Sequence, residues 1–211
     1  MTKTNQQKVK DFLINNGVII VMFILVIYTG FTSDNFFTKN NFMNILMNMS
    51  SRLVIALGIA GCVITAGCDL SAGRMIGFGA CISGMLLQRM DYSGKFFPDM
   101  QPLNVFVVAL TAVLVCAAFG TVTGFFIAYL NVPPFIATLA MMEIVYGIGL
   151  IVTNATPLGG YVEQYTNVSN GKFLGINYLI WLAIIVAAIT WFIFNMTRHG
   201  KYMYAIGGNP Q

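Results

Sequence analysis

The chain alternates between long apolar runs and short polar joints. Six stretches carry the apolar residues: Gly17–Phe31, Leu53–Gly67, Met75–Gln88, Leu103–Leu130, Pro134–Asn154 and Phe173–Met196. Across all six, Glu143 is the one Asp, Glu, Lys or Arg. An ionised side chain at the centre of a bilayer costs at least about 2.5–3.5 kcal/mol, and that penalty accounts for the gaps. The runs predict helices that cross a membrane, about 20 residues being needed for one span. The first helix is expected to reach back to Phe12, giving about 30 Å. The second has an amphipathic lead-in, with Phe42, Ile45, Leu46, Met49 and Leu53 at helical spacing and Arg52 near the headgroups. The third, between Arg74 and Arg89, is about 21 Å long as a helix. It either crosses or dips in and returns.

The expected fold is therefore all-α and polytopic, with about six transmembrane helices. A polar tail at 1–11, a membrane domain at 12–196 and a following segment at 197–211 divide the chain. Lys3, Lys8 and Lys10 precede the first helix, and Arg198, His199 and Lys201 follow the last. Six crossings put both basic ends on one side, which the positive-inside tendency makes cytoplasmic. The same count puts Asn131-Val-Pro-Pro134 in a cytoplasmic turn and 155–172 outside as a long loop. Pro133 and Pro134 stop the fourth helix and start the fifth. The N-terminus superficially resembles a signal peptide, but Phe31-Thr-Ser-Asp-Asn-Phe-Phe37 fits a cleavage site poorly, so the first helix is read as retained.

Composition agrees with lipid as the solvent. Hydrophobic residues make up 57% of the chain and charged residues 9%, against about 25% charged in ordinary soluble domains. The net charge of +4 has no basic patch interleaved with aromatics, which argues against nucleic acid. Cys62, Cys68, Cys81 and Cys116 lie in or beside apolar runs without metal or disulfide spacing, so they read as small packing residues. Gly73 with Gly77, Gly120 with Gly124, and Ala56 with Ala60 have the small-xxx-small spacing that lets helices approach closely in lipid.

Three places carry candidate chemistry. Gly67-Cys-Asp-Leu-Ser-Ala-Gly-Arg74 puts Asp69, Ser71 and Arg74 between two apolar runs. An interrupted helix there exposes polar groups to a passage, with Asp69 or Ser71 capping the third helix; alternatively it is an ordinary turn with a structural Asp–Arg pair. Glu143 is an intramembrane carboxyl, which marks a functional position by default. It faces the passage, pairs with Arg74 or Arg52, or is protonated; an interhelical contact near one helix end is the plainer reading. His199 alone makes no metal site or catalytic triad and joins the basic cluster after the last helix. No phosphate-binding loop occurs, so an ATP-driven machine would need a separate motor chain and no cofactor is expected in this one. An enzyme reading has no motif behind it.

Four motifs run in order along the chain: Arg52-Leu-Val-Ile-Ala-Leu-Gly58, Asp69-Leu-Ser-Ala-Gly73, Ala128-Tyr-Leu-Asn-Val-Pro-Pro-Phe-Ile136 and Tyr204-Ala-Ile-Gly-Gly-Asn-Pro210. Together they resemble the ribose/galactose/xylose-type permeases of ABC importers. The resemblance implies a bacterial inner-membrane permease subunit, paired with a second copy, an ATP-binding cassette subunit and a periplasmic sugar-binding protein. It implies galactose or methyl-galactoside as cargo, with ribose or xylose as alternatives. It places a coupling helix for the ATPase in the segment with Lys201, Gly207, Gly208, Asn209 and Pro210. Family members usually have about ten helices, so the chain reads as C-terminally truncated, ending inside that segment. They tend to carry an uncharged residue where Glu143 stands. The translocation path is then sought at Thr65, Asp69, Ser71, Arg74 and Glu143, with Ser83, Thr121 and Thr123 as further polar positions. A proton-coupled sugar transporter using Glu143 as its relay is the alternative.

Overall fold

A computed structural model describes residues 13–208. The expected tail at 1–11 with Lys3, Lys8 and Lys10, the helix start at Phe12, and Asn209, Pro210 and Gln211 lie outside the described residues. The chain forms two units, Met1–Leu46 and Met47–Gln211.

In the first unit, helix α1 spans Gly17–Thr32. The expected continuous helix from Phe12 is interrupted by a turn at Asn16, where Asn15, Asn16 and Gly17 are all weak helix formers. No residue of α1 is buried. Its end is tied off by threonines: the Thr29 hydroxyl donates to the Leu25 carbonyl oxygen at 2.8 Å and that of Thr32 to Tyr28 at 2.7 Å. The Phe37 ring lies so close to Gly30 that a side chain there would collide with it. Helix α2, Lys39–Ile64, follows, with the Asn41 N–H donating to the Thr38 hydroxyl at 3.3 Å. The amphipathic lead-in and the second apolar run are one helix of 26 residues.

In the second unit, α2 ends at Ile64 and the chain turns through 65–71. The Gly67 N–H donates to the Cys62 carbonyl oxygen at 2.8 Å while Ala66 takes φ 58°. This is a glycine-type helix end built with an alanine, a left-handed placement that costs about 1 kcal/mol. Helix α3 spans Ala72–Leu86, α4 Val105–Leu130 and α5 Pro134–Thr153. These three pack together. Phe78, Met141 and Val145 form the core, with Met75, Ile82, Val115, Phe119 and Ile148 against it. The rings of Phe78 and Phe119 meet edge to face at 5.6 Å. The corner between α4 and α5 follows the sequence expectation: Asn131 closes α4 at φ 53° and Pro134 opens α5.

The long loop expected after α5 is partly ordered into elements. Helix α6 spans Glu163–Asn170, and β1 (Lys172–Phe173) pairs antiparallel with β2 (Ile176–Asn177). Leu174 and Gly175 both take positive φ, the twist that a two-residue hairpin turn needs. The sixth apolar run therefore starts its helix later than expected: α7 spans Tyr178–Met196, with the Asn177 side chain capping Leu179 N–H at 2.9 Å. Helix α8, Arg198–Gly208, follows at once. Gly200 sits against the backbone of Phe194, where no side chain fits.

Four helices, α2, α4, α5 and α7, are long and apolar enough to cross a membrane, and α1 and α3 are shorter apolar helices. Very few side chains are buried, and Phe31, Ile151 and Phe106 stand largely exposed. Apolar surface on this scale belongs in lipid.

Candidate functional site

The break between α2 and α3 opens a cavity of about 260 Å3. Thr65, Asp69 and Ser71 line it from the break, Gly120, Thr123 and Gly124 from α4, and Pro134 and Thr138 from α5. The break is held by Asp69, whose Oδ1 accepts from the Ser71 N–H at 2.9 Å and from the Ser71 hydroxyl at 2.6 Å. Neither residue caps α3 as expected: Ser71 at the N-cap position already has helical backbone angles, φ −75° and ψ −22°, so its side chain makes no cap hydrogen bond and donates to Asp69 instead.

The cavity wall is rich in acceptors. The Thr65 hydroxyl donates to the Cys62 carbonyl oxygen at 3.0 Å, that of Thr123 to Phe119 at 3.0 Å, and that of Thr138 to Pro134 at 2.8 Å. With their protons spent on their own helices, these oxygens present lone pairs. A ligand with several hydroxyl donors fits such a wall. Pro134 and Thr138, from the first turns of α5, place the cavity at the Pro134 end of the bundle. A second, more open cavity of about 760 Å3 shares Asp69, Ser71 and Gly120 and runs between α2, α3 and α4 past Gly58, Met75 and Cys116.

The glycines expected to bring helices together do something else. Among the described residues, nothing lies within 4 Å of where a side chain would begin at Gly73, Gly77, Gly120 or Gly124. Gly120 and Gly124 instead widen the cavity. Close approach occurs at Gly207, which presses on the Ile64 carbonyl, and at Gly61, where the Met203 methyl would be 3.0 Å from an added carbon. Helix α8 therefore lies at the α2 end that forms the cavity's rim.

The other expected positions lie elsewhere. Arg74 does not pair with Asp69 or Glu143; its guanidinium stacks on Tyr146, 3.9 Å from the ring centroid. Glu143 stands at the middle of α5 rather than near an end, exposed, with no hydrogen bond or ion pair among the described residues. Ser83 is buried in α3, and Thr121 is exposed on α4 outside both cavities. Sequence reasoning missed Thr138, a hydroxyl one turn into α5, and Tyr146, one turn after Glu143. It also took Cys62 and Cys68 for packing residues, whereas both line the smaller cavity. No group of metal-ligating side chains occurs among the described residues.

At the far end of α3, Gln88 is almost wholly buried. Its Nε2 donates to the Gly159 carbonyl oxygen at 3.0 Å and its Oε1 accepts from the Phe96 N–H at 2.7 Å. Arg89 N–H to Gly160 at 2.7 Å and Val162 N–H to Leu87 at 2.9 Å complete the tie between the two loops. The nearby Tyr161 phenol donates to the Leu158 carbonyl oxygen at 2.8 Å. Burial, and then the neighbouring Tyr165, raise its pKa above the ordinary phenol value.

Residues 41–211 match the family described as the permease component of a branched-chain amino acid transport system. The chain belongs to that permease family. Among curated relatives, the galactose/methyl galactoside import permease of Escherichia coli is 38% identical over the whole chain, and that of Haemophilus influenzae 39%. The ribose import permease of Escherichia coli is 31% identical over 95% of the chain. The chain spans about 65% of the length of the galactose relatives and 60% of the ribose one. No solved structure matches it. Membership of this permease family, together with the apolar helices, makes the chain a multi-pass inner-membrane protein.

Proposed function

We propose that this chain is the membrane-spanning subunit of an ATP-driven importer of monosaccharides of the galactose and methyl-galactoside kind. The observation that carries this reading is the similarity to galactose/methyl galactoside import permeases along the whole chain. The acceptor-rich cavity beside the broken helix supports it, because such a wall can accept from several ligand hydroxyls. Ribose and xylose are the alternative cargoes.

In this reading two copies of the chain form the path, a cassette ATPase in a separate chain binds ATP and works from the cytoplasm, and a periplasmic binding protein delivers the sugar. The N-terminus, the Pro134 corner and α8 face the cytoplasm; the loop with α6 faces outward and receives the binding protein. Thr65, Asp69 and Ser71 contact the passing sugar at the inner end. Lys201, Gly207 and Gly208 of α8, with Asn209 and Pro210 beyond, dock on the ATPase. Helix α8 rests on the α2 end that rims the cavity, so a push on α8 reaches the passage through one backbone contact.

Deleting the chain from its host should abolish ATP-dependent galactose uptake. Uptake that persists, or that runs on a proton gradient without ATP, would refute the reading. The second reading, a proton-coupled transporter, is favoured only by the unpaired Glu143 at the middle of α5. It predicts that Glu143→Gln stops uptake with no ATPase requirement.

A further inference from the structure

Two charged side chains on α3 and α5 stand outside the cavity wall. Glu143 occupies the middle of α5, a helix about 30 Å long that matches the hydrocarbon thickness. Its carboxyl is exposed and bonds to nothing among the described residues. Tyr146, three residues on, shares its face. Arg74 reaches that face from the first turn of α3 and lies flat on the Tyr146 ring at 3.9 Å. It too is exposed and makes no ion pair among the described residues. The stack covers one face of the guanidinium and leaves its edge N–H donors free.

Left against lipid, a carboxylate and a guanidinium at this depth would each cost at least about 2.5–3.5 kcal/mol. This face therefore meets water or a polar occupant. Its chemistry narrows the occupant. A carboxyl accepts, a guanidinium edge donates in a planar fork, and a phenol does both. A simple anion would be repelled by Glu143 and a simple cation by Arg74; a zwitterion would meet both charges, and the choice of a neutral cargo comes from the import reading. A neutral molecule with adjacent hydroxyls satisfies all three groups, each hydroxyl donating to Glu143 while accepting from Arg74.

We propose that Glu143, Arg74 and Tyr146 form a second sugar-contact site on a water-lined wall of the passage, separate from the Asp69 cavity. This rests on the import reading for its cargo. The site is open and shallow, which suits brief contact during passage.

The test replaces Glu143 by Cys in the chain together with its partners in native membranes. A charged, membrane-impermeant thiol reagent is expected to label the variant beyond the labelling of the parent chain, and galactose is expected to slow that labelling several-fold. No added labelling would mean a lipid-facing position and overturn the proposal. A disulfide between two copies at 143, without protection by sugar, would overturn it in favour of a subunit contact. Labelling that sugar does not slow would remove the sugar site. Glu143→Gln and Tyr146→Ala should each raise the KM for uptake about tenfold, the equivalent of one lost charge-assisted hydrogen bond, while ATP hydrolysis continues. Unchanged KM in both would sink the proposal. Sugar-protected labelling without ATP dependence would leave this site standing and remove only the ATP-driven importer.

Discussion

Gly207 of α8 lies directly on the carbonyl of Ile64, the last residue of α2. The next residue along, Gly208, has open space where a side chain would start. Two neighbouring glycines thus have different jobs. Gly207→Ala must push a backbone carbonyl aside and is expected to destabilise the protein by about 1–3 kcal/mol, the usual cost of overpacking. Gly208→Ala should leave stability unchanged. Thermal unfolding of the two variants in detergent separates them. If Gly208→Ala then lowers uptake without lowering stability, α8 docks on its partner through that exposed position.

Gln88 ties the loop after α3 to the loop after α5 with both ends of its amide. Gln88→Leu keeps the volume but leaves the Gly159 carbonyl and the Phe96 N–H without partners. Both groups are partly buried, and an orphaned group costs up to about 1–3 kcal/mol when water cannot reach it. A lowered unfolding midpoint, with faster hydrogen exchange at the Phe96 and Arg89 amides, is the expected result.

Asp69 holds the broken helix through a single oxygen shared by the backbone and side chain of Ser71. Asp69→Asn keeps an acceptor at that place, whereas Asp69→Ala removes it. A hydrogen bond to a charged group contributes about 1.5–3 kcal/mol. The alanine variant should therefore lose most of its uptake and the asparagine variant little, as read by labelled galactose entering membrane vesicles. Equal losses in both would show that charge, rather than the turn, matters.

The raised pKa of Tyr161 has a consequence at high pH. Its phenol is neutral in the folded protein beyond the pH at which a free phenol, near 10, begins to ionise. The folded state then binds the proton more tightly than the unfolded state. Stability from this group is complete below the ordinary value and is lost as pH rises through the raised one. Melting curves between neutral pH and strongly alkaline pH should show that loss, and Tyr161→Phe should reduce it.

Much of the fold was legible because each apolar run answers a local question, whether that segment prefers lipid or water. The apolar runs marked the helices α4 and α5 almost to the residue. Pro133, Pro134 and Asn131 marked the corner between them through backbone rules that act over a few residues. The segment around Asp69 was recognisable as a break because polar residues interrupt two apolar runs. The family was legible in four short motifs.

Lateral arrangement was not legible. Transfer into lipid stabilises every apolar face alike, so the sequence alone does not say which faces meet. Only the packed helices decided that Gly120 and Gly124 open a cavity rather than close a contact, that Thr138 joins Thr65 and Thr123 in its wall, and that Arg74 leaves Asp69 and Glu143 for the ring of Tyr146. The chain's hydropathy determined that it lives in a membrane and where its apolar helices fall; the tertiary contacts determined which polar groups share a space, because proximity across helices depends on shapes that no single segment contains.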